Sequence, residues 1–313
     1  MRQPAPAIVA CLIAALLGVA TASSPEVPVF RSSTGVVRID VAVTRKGRPV
    51  TGLTRSHFRV RDRGRLQDIE VARAVDIPLR AVLVLDLSGS VQGRGLEHLK
   101  GAVRSFLRGF SPADCATLVG FRFEARQHTT DCATPDSILG ALESLGAHSA
   151  TALRDAIFLS LALAEPGRER TVLLVLSDGI DNSSWLEPDE VVGAAQTSEA
   201  TVYAVVIEPP EQKEWVVHRP RTGSLIPWRP PGADRTSAFL DRVVGATGGR
   251  RLSAEGDVDL EAAFATVLED LRNRYLLSYG VGDTPDPGWH QLEVRLVGVS
   301  ADVRARRGYL VPE

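Results

Sequence analysis

Two short stretches of this chain contain only apolar residues and end in an acidic turn. Ala81–Leu85 is followed by Asp86, and Val172–Leu176 is followed by Ser-Asp-Gly at 177–179. Apolar runs of this length, without the alternation of a half-exposed strand, are typical of strands that are covered on both faces. Because such strands need helices on both sides of their sheet, this feature favours an α/β arrangement.

Helical patterns separate these strands along the chain. In residues 95–110, leucine, valine and phenylalanine recur at intervals of three and four, which is the spacing of an amphipathic helix. Further helices are predicted at 136–145, 152–164, 188–199, 237–246 and 260–274, and a third core strand at 202–207. This alternation predicts a three-layer α/β/α domain with a mostly parallel sheet and one antiparallel hairpin edge strand.

The two ends of the chain have a different pattern, which predicts short strands without helices. Short strands are predicted at 37–43, 58–61 and 69–74, and again at 275–281, 290–297 and 301–310. We expect the two β-rich segments to pair into a small β domain into which the α/β domain is inserted. The predicted division is an N-terminal β segment at 23–79, the α/β domain at 80–274 and a C-terminal β segment at 275–313.

The first residues have the organisation of a signal peptide. Arg2 is followed by an apolar stretch at 8–22 that ends in Ala-Thr-Ala, a pattern that signal peptidase cleaves. The stretch is short of the roughly 20 residues that span a bilayer comfortably. We expect residues 1–22 to be removed and the mature chain to be periplasmic or secreted without a membrane span. An uncleaved N-terminal anchor is the alternative.

Composition and motifs argue against two broad classes of function. A formal net charge of −2 lacks the basic excess typical of a nucleic-acid binder. The chain contains no G-x-S-x-G, no G-x-x-x-x-G-K-[ST] and no H-E-x-x-H sequence, and its six histidines lack metal-ligand spacing. We therefore expect a binding protein and not an enzyme.

Two cysteines, Cys115 and Cys132, remain after signal cleavage, too few for a disulfide scaffold or a zinc cluster. Strands at 116–122 and 125–131, joined by a turn at Phe123 and Glu124, would place the two cysteines opposite each other. Since the periplasm is oxidising, we predict a Cys115–Cys132 disulfide. Two separate buried thiols are the alternative.

Oxygen-bearing side chains follow the core strands where a ligand site is expected. In an open parallel sheet, ligands bind outside the carboxyl ends of the strands. In the loop after the first core strand, Asp86, Ser88 and Ser90 carry side-chain oxygen atoms at alternate positions. Thr151, at the start of a predicted helix, adds a hydroxyl, and Asp178, in the turn after the second core strand, adds a carboxylate. This all-oxygen set suits Mg²⁺ or Mn²⁺. Alternatively, each could be an ordinary helix cap or turn residue.

The order of these motifs resembles the von Willebrand factor type A domain. The resemblance covers about 80–274 and rests on D-x-S-x-S at 86–90, T-A-L-x-D-A at 151–156 and S-D-G at 177–179. It implies that the five candidate ligands form that family's metal-ion-dependent adhesion site (MIDAS), where the cation captures a partner carboxylate. The flanking segments, with G-R-P-V-T-G-L-T at 47–54 and R-R-G-Y at 306–309, are similar to those of exported acidobacterial-type proteins built around such a domain.

The segment at 208–236 has no regular pattern and is rich in proline, arginine and tryptophan. A loop of this length is usually functional or disordered, and it follows a core strand on the side of the predicted metal. Tryptophan and arginine are enriched at interface hot spots. We predict that the partner, a protein presenting an Asp or Glu, is selected by Trp185, Trp215, Trp228 and Arg229. Alternatively, the segment at 208–236 is a mobile loop without a function. For the protein as a whole, the alternative is a structural role with a metal site that is vestigial or purely stabilising.

Overall fold

A computed structural model describes residues 35–148, 150–164, 170–208, 215–218, 225–228, 233–255, 257–281 and 286–312. The predicted signal peptide at 1–22 lies outside the described residues. Within the described residues, no helix combines the length and the apolar character needed to cross a membrane.

The strands, in chain order, are β1 (Val36–Arg45), β2 (Arg48–Pro49), β3 (Phe58–Asp62), β4 (Arg65–Leu66), β5 (Glu70–Arg73), β6 (Leu79–Asp86), β7 (Cys115–Phe121), β8 (Ala125–Gln127), β9 (Arg170–Ser177), β10 (Thr201–Glu208), β11 (Trp215–His218), β12 (Leu225–Trp228), β13 (Arg250–Glu255), β14 (Tyr275–Gly280), β15 (Gly288–Leu296), β16 (Asp302–Arg304) and β17 (Gly308–Val311). The helices are α1 (Arg94–Leu107), α2 (Pro135–Glu143), α3 (Leu153–Leu163), α4 (Pro188–Thr197), α5 (Ala233–Thr247) and α6 (Asp257–Arg272).

The central sheet has the strand order β13-β10-β9-β6-β7-β8. Its neighbours are parallel except for the antiparallel β7–β8 pair at one edge. On one face, Leu83 of β6 belongs to an apolar cluster with Leu99 of α1 and Phe264 of α6. On the other face, Val84 of β6 shares a cluster with Ile157 of α3. The predicted three-layer α/β/α fold with an antiparallel edge strand is confirmed.

Strand β13 was not predicted from the sequence, because its residues do not form an apolar run. It pairs in parallel with β10 at the outer edge of the sheet. Leu252 and Ala254 pack toward the apolar cluster, while Arg251 is hydrogen-bonded to Asp241 near the surface. An edge strand needs only alternate positions to be apolar, so its signal in the sequence is weaker than that of a central strand.

Strands from the two ends of the described chain pair with each other. One sheet has the order β16-β1-β14-β5, and a second has the order β17-β15-β3-β4. In the first, Ile39 of β1 faces Leu277 of β14; in the second, Val60 of β3 faces Val294 of β15. Ile39, Val60 and Leu277 belong to the same buried cluster. The two β-rich segments therefore share one apolar core, and the exact domain boundaries stay a prediction.

The expected single strand at 301–310 is instead two strands in different sheets. β16 pairs with β1, and β17 pairs with β15. Between them, the buried guanidinium of Arg306 donates hydrogen bonds to the carbonyl oxygens of Gln196, Ser198 and Gly308. Because this cation is satisfied by carbonyls at the end of α4, the chain turns there and leaves the first sheet.

The Cys115–Cys132 disulfide is confirmed, with 4.8 Å between the two Cα atoms. The predicted hairpin register is wrong. Phe121 pairs with Ala125, so the turn is centred on Phe123, and β8 ends at Gln127 and not at 131. A separate bridge pairs Ala116 with Ala133. The segment between β8 and Ala133 therefore contains extra residues that do not pair with β7. The disulfide links Cys132 of this segment to Cys115 at the start of β7.

Candidate metal centre

Asp86, the last residue of β6, has no exposed surface. Its Oδ1 accepts a hydrogen bond of 2.9 Å from the backbone N–H of Ser88, and its Oδ2 accepts one of 2.8 Å from Ser177 Oγ. Ser177 ends β9, the neighbouring strand in the sheet. The carboxylate is thus fixed by its own loop and by the adjacent strand. Ser177 was not selected from the sequence, where its hydroxyl beside Asp178 was the only signal.

The two serines of the first loop present their hydroxyls to each other. Ser88 is buried and Ser90 is exposed, and their Oγ atoms lie 2.9 Å apart. A single 3₁₀ turn at Gly89–Val91 bends the chain between them. The alternate spacing of Asp86, Ser88 and Ser90 therefore produces one compact group of oxygen atoms, as the sequence predicts.

Asp178 follows β9 at the same edge of the sheet as Asp86. The strands that carry them are parallel neighbours, with Leu85 paired to Leu176. Asp178 Oδ1 accepts a hydrogen bond from Ile180 N–H, and Gly179 with a φ of 76° makes the sharp turn between them. Burial raises the pKa of Asp86 to about 6, and repulsion from the Asp178 carboxylate adds to this effect. The two carboxylates are therefore close enough to repel each other.

Hydrogen bonds connect Thr151 to the loop that follows Asp178. The buried Thr151 donates its N–H to Asn182 Oδ1 at 2.8 Å, and its carbonyl accepts from the N–H groups of Asn182 and Ser183 at 3.0 and 3.1 Å. A further hydrogen bond joins His148 N–H to the carbonyl of Leu87. The three segments that carry the predicted ligands therefore meet at the end of the central sheet where β6 and β9 finish. Asn182 was not among the candidate residues selected from the sequence.

Asp155 and Asp181, which border the candidate site, hold the surrounding backbone. The Asp155 carboxylate accepts hydrogen bonds from the N–H groups of Trp185 and Leu186. Asp181 accepts from Arg154 N–H and from Ser184 Oγ. The two carboxylates therefore support the loops that border the candidate site.

The donor set fits a hard divalent cation. It consists of two carboxylates and three hydroxyls, and such oxygen ligands are those that Mg²⁺ and Mn²⁺ prefer. In the part of the chain that the structure describes, no group of three or more His, Cys, Asp or Glu side chains is placed to hold a metal. A centre built here would therefore depend on serine and threonine oxygens. Near Thr151, the buried Ser183 Oγ has no hydrogen-bond partner among the described residues.

The structure describes the backbone of three of the four predicted partner-binding residues. Trp185 is 86% exposed in the loop between β9 and α4. Trp215 and Trp228 are register partners in an antiparallel β11–β12 pair, a pairing that the sequence did not predict. Arg229 lies outside the described residues.

Comparison with known proteins finds a family match for part of this chain. Residues 81–181 match the family model described as the von Willebrand factor type A domain, and this range contains all five candidate ligands. A curated relative, inter-alpha-trypsin inhibitor heavy chain H4 from Sus scrofa, is 25% identical over 126 residues. That alignment covers 37% of this chain and 14% of the relative, so most of the relative's length has no counterpart in it.

Solved structures show a more distant likeness. An aerotolerance-related membrane protein from Bacteroides fragilis is 18% identical with a TM-score of 0.47, covering 62% of this chain and 98% of that one. Proximal thread matrix protein 1 from the mussel byssus, solved with a zinc-occupied MIDAS motif, is 15% identical with a TM-score of 0.48, covering 66% and 49%. A von Willebrand factor type A protein from Catenulispora acidiphila is 12% identical with a TM-score of 0.48, covering 91% and 76%.

Similarities of this strength carry no argument about what the chain binds. The family assignment rests on the sequence match of 81–181 together with the order of the three motifs within it. The α/β/α layering of the central sheet is the fold in which those motifs are expected to lie. Residues 81–181 are therefore the part of this chain that matches the von Willebrand factor type A domain.

Proposed function

We propose that the protein is an exported binding module that captures an acidic side chain of a partner protein through a divalent cation. The observation that carries this proposal is the position of Asp86 and Asp178 at adjacent strand ends, beside the hydroxyls of Ser88 and Ser90. Thr151 is joined to the same edge through the loop after Asp178. These five side chains would hold the cation.

The charge of the donor set determines what such a centre would bind. Asp86 and Asp178 supply two negative charges, which only just neutralise a dication. A bound cation would supply an electrophilic position for a third carboxylate, from a partner Asp or Glu. The hydrogen bonds to Asp86 from Ser88 and Ser177 orient its carboxylate before any ligand arrives, which lowers the entropy lost on binding.

We propose Mg²⁺ or Mn²⁺ as the ion, because the donors are oxygen atoms and carry little charge. The mussel protein named above has zinc in its MIDAS motif. Titrating the full chain separately with Mg²⁺, Mn²⁺ and Zn²⁺ by calorimetry would rank the three ions. Most oxygen and nitrogen sites bind Zn²⁺ much more tightly than Mg²⁺ or Mn²⁺. Each titration should therefore be repeated with Asp86→Asn, because only the binding that this variant loses belongs to the candidate centre.

Export is supported by the signal-peptide pattern at 1–22 and by the disulfide. A Cys115–Cys132 bond is typical of a protein that folds in an oxidising compartment. Mass spectrometry of the mature protein would test this proposal. A chain that begins after Ala22 supports it, and a chain that retains its first residues contradicts it.

We propose binding and not catalysis. Metal-assisted hydrolysis needs a general base beside the ion. The acidic groups next to the five candidate ligands, Asp155 and Asp181, already accept hydrogen bonds from backbone N–H groups. We further propose that Trp185, Trp215, Trp228 and Arg229 contribute to partner selection. Replacing 209–232 with a short flexible linker should weaken partner capture while the thermal unfolding midpoint stays nearly constant.

A purely stabilising cation is the second candidate function. The hydrogen bonds that join Thr151 to Asn182 and Ser183 already tie two loops together, and a cation could simply strengthen that connection. Pulldown from the native organism, with Mg²⁺ and with EDTA, separates the two functions. Capture that requires Mg²⁺ and is lost in Asp86→Asn supports the adhesion function, with exposed Asp302→Asn as the control. A Mg²⁺-dependent rise in thermal stability with unchanged capture in EDTA supports the stabilising function.

A further inference from the structure

In the part of the α/β region whose side chains the structure describes, few large apolar side chains are exposed. In the described portion of 80–274, the exposed ones are Phe123, at 61%, and Trp185, at 86%. Exposed aromatic residues of this size are frequent at protein interfaces and carry much of their binding energy. The position of these two side chains therefore indicates where a partner would make apolar contacts.

Both side chains lie at the edge of the sheet that carries the candidate metal centre. Phe123 is in the turn just beyond the carboxyl end of β7, and Trp185 is in the loop that follows β9. In the sheet, β6 lies between β7 and β9, and Asp86 is its last residue. The two aromatic residues therefore follow the strands on either side of the strand that ends in Asp86.

Hydrogen bonds tie the backbone around both aromatic residues to the segment that begins with Thr151. On one side, the carbonyl of Arg122 accepts a hydrogen bond of 2.6 Å from Ala152 N–H. On the other side, Trp185 N–H donates to the Asp155 carboxylate at 3.0 and 3.1 Å. The exposed aromatic groups are thus presented by ordered loops, and ordering them on binding costs little conformational entropy.

The charged side chains around Phe123 have a net positive charge, which favours an acidic partner: Glu124 is paired with Arg126 at 3.5 Å, and Arg122 precedes Phe123. The guanidinium of Arg122 is partly exposed and lies within hydrogen-bonding distance, 3.1 Å, of the ring nitrogen Nδ1 of the exposed His148. Arginine is always charged in proteins, so Arg122 supplies a positive charge here. This cation adds attraction for a carboxylate and opposes a basic residue at the same position.

We propose that the partner carries a large apolar side chain next to the acidic residue that reaches the cation, and that Phe123 and Trp185 contact this apolar side chain. The acidic part of this recognition rests on the proposed function above, whereas the apolar part rests on the two exposed aromatic residues. The occupant is a solvent-exposed acidic loop of another protein, with an aromatic or large aliphatic residue beside its Asp or Glu.

Three blocked tetrapeptides with central Asp-Phe, Asp-Gly and Asn-Phe pairs test this inference on the full chain. Their affinities are measured by NMR titration in saturating Mg²⁺ and again in EDTA. We expect Asp-Phe to bind about five-fold more tightly than Asp-Gly, as an aromatic contact beyond simple burial would produce. The Phe123→Ser/Trp185→Ser double variant should lose this preference, so that it binds Asp-Phe and Asp-Gly with equal affinity. Leu66→Ser, which changes a side chain that is 59% exposed on β4, is the matched control and should behave like the parent protein.

The outcomes separate the two levels of the proposal. Equal affinity for Asp-Phe and Asp-Gly in the parent protein, or an unchanged preference in the double variant, overturns the aromatic contact and leaves the metal proposal in place. Equal affinity for Asp-Phe and Asn-Phe, insensitive to EDTA, overturns the metal-dependent function and leaves the aromatic contact. Failure of all three peptides to bind in saturating Mg²⁺ overturns both. Unchanged thermal midpoints show that the variants are folded.

Discussion

Arg274 Nε lies 3.0 Å from Asp40 Oδ1, and both side chains are buried. Asp40 belongs to β1 near the start of the described chain, whereas Arg274 joins α6 to β14. Arg170, at the start of β9, also pairs with Asp40. Burial by itself lowers the pKa of Arg274, but the charge of Asp40 outweighs it and raises that pKa above its ordinary value. This ion pair joins the N-terminal β segment to the helix that completes the α/β layers.

Removal of Asp40 should therefore destabilise the whole chain. Asp40→Ala leaves two buried guanidinium groups without their carboxylate, and breaking a buried ion pair in this way costs about 3–5 kcal/mol. The free energy of unfolding, measured in urea, should fall by that amount. Asp302→Ala, at an exposed position on β16, should change it by less than about 0.5 kcal/mol. Equal stabilities of the two variants would show that the buried pair contributes no net stability.

Asp270 should make the free energy of unfolding depend on pH in the acidic range. Burial tends to raise its pKa, but Arg274, Arg304 and the hydroxyl of Tyr203 outweigh burial and hold the pKa below the ordinary value. A carboxyl group with a lowered pKa stabilises the fold above its unfolded pKa of about 4, and this stabilisation is lost as the pH falls through the lower folded pKa.

Urea unfolding at several acidic pH values measures this effect. Asp270→Asn should be less stable than the parent at neutral pH, and the difference should shrink below about pH 4. A stability difference that is the same at every pH would mean that the charge of Asp270 is not responsible.

Asn182 should act as a positioning residue for the metal centre. Its side-chain oxygen accepts a hydrogen bond from the N–H of Thr151, so Asn182→Ala removes the hydrogen bond that positions this predicted ligand. Loss of such an outer contact typically weakens metal binding about 10- to 100-fold. Mn²⁺ binding measured by electron paramagnetic resonance should show that loss, and Asn182→Asp, which keeps an acceptor at this position, should recover part of it. Full affinity in the alanine variant would remove Asn182 from the site.

The disulfide should stabilise the antiparallel edge of the central sheet. Cys115 and Cys132 are 17 residues apart, and closing a loop of that size contributes about 3 kcal/mol. The Cys115→Ser/Cys132→Ser double variant should lose that stability, and a reducing agent should lower the stability of the parent protein but not of the variant. A stability that is identical with and without reductant would indicate that the bond contributes little beyond local contacts.

Features with a strong local signal were predictable from the sequence. Continuous apolar runs such as 81–85 and 172–176 are typical of strands covered on both faces, and both runs lie in central strands of the sheet, β6 and β9. The oxygen-bearing residues that follow these runs lie at the carboxyl ends of the strands by topology alone, which is why Asp86 and Asp178 could be placed together in advance. The family resemblance depends on the same local motifs. The disulfide was predicted correctly even though its hairpin register was not.

Other features depend on which distant segments pack together, and no local pattern encodes that. β13 is a strand because the edge of β10 is available to it, and the chain divides at Arg306 because carbonyls from α4 satisfy its buried charge. Ser177 and Asn182 acquire their roles only when β9 and its loop lie beside Asp86 and Thr151. The layers of the fold and the chemistry of the candidate ligands follow from local hydrophobicity and residue type, so they can be derived from the order of the residues. Registers, buried ion pairs and supporting contacts depend on distances between residues that are remote in the chain, so they become visible only in the folded protein.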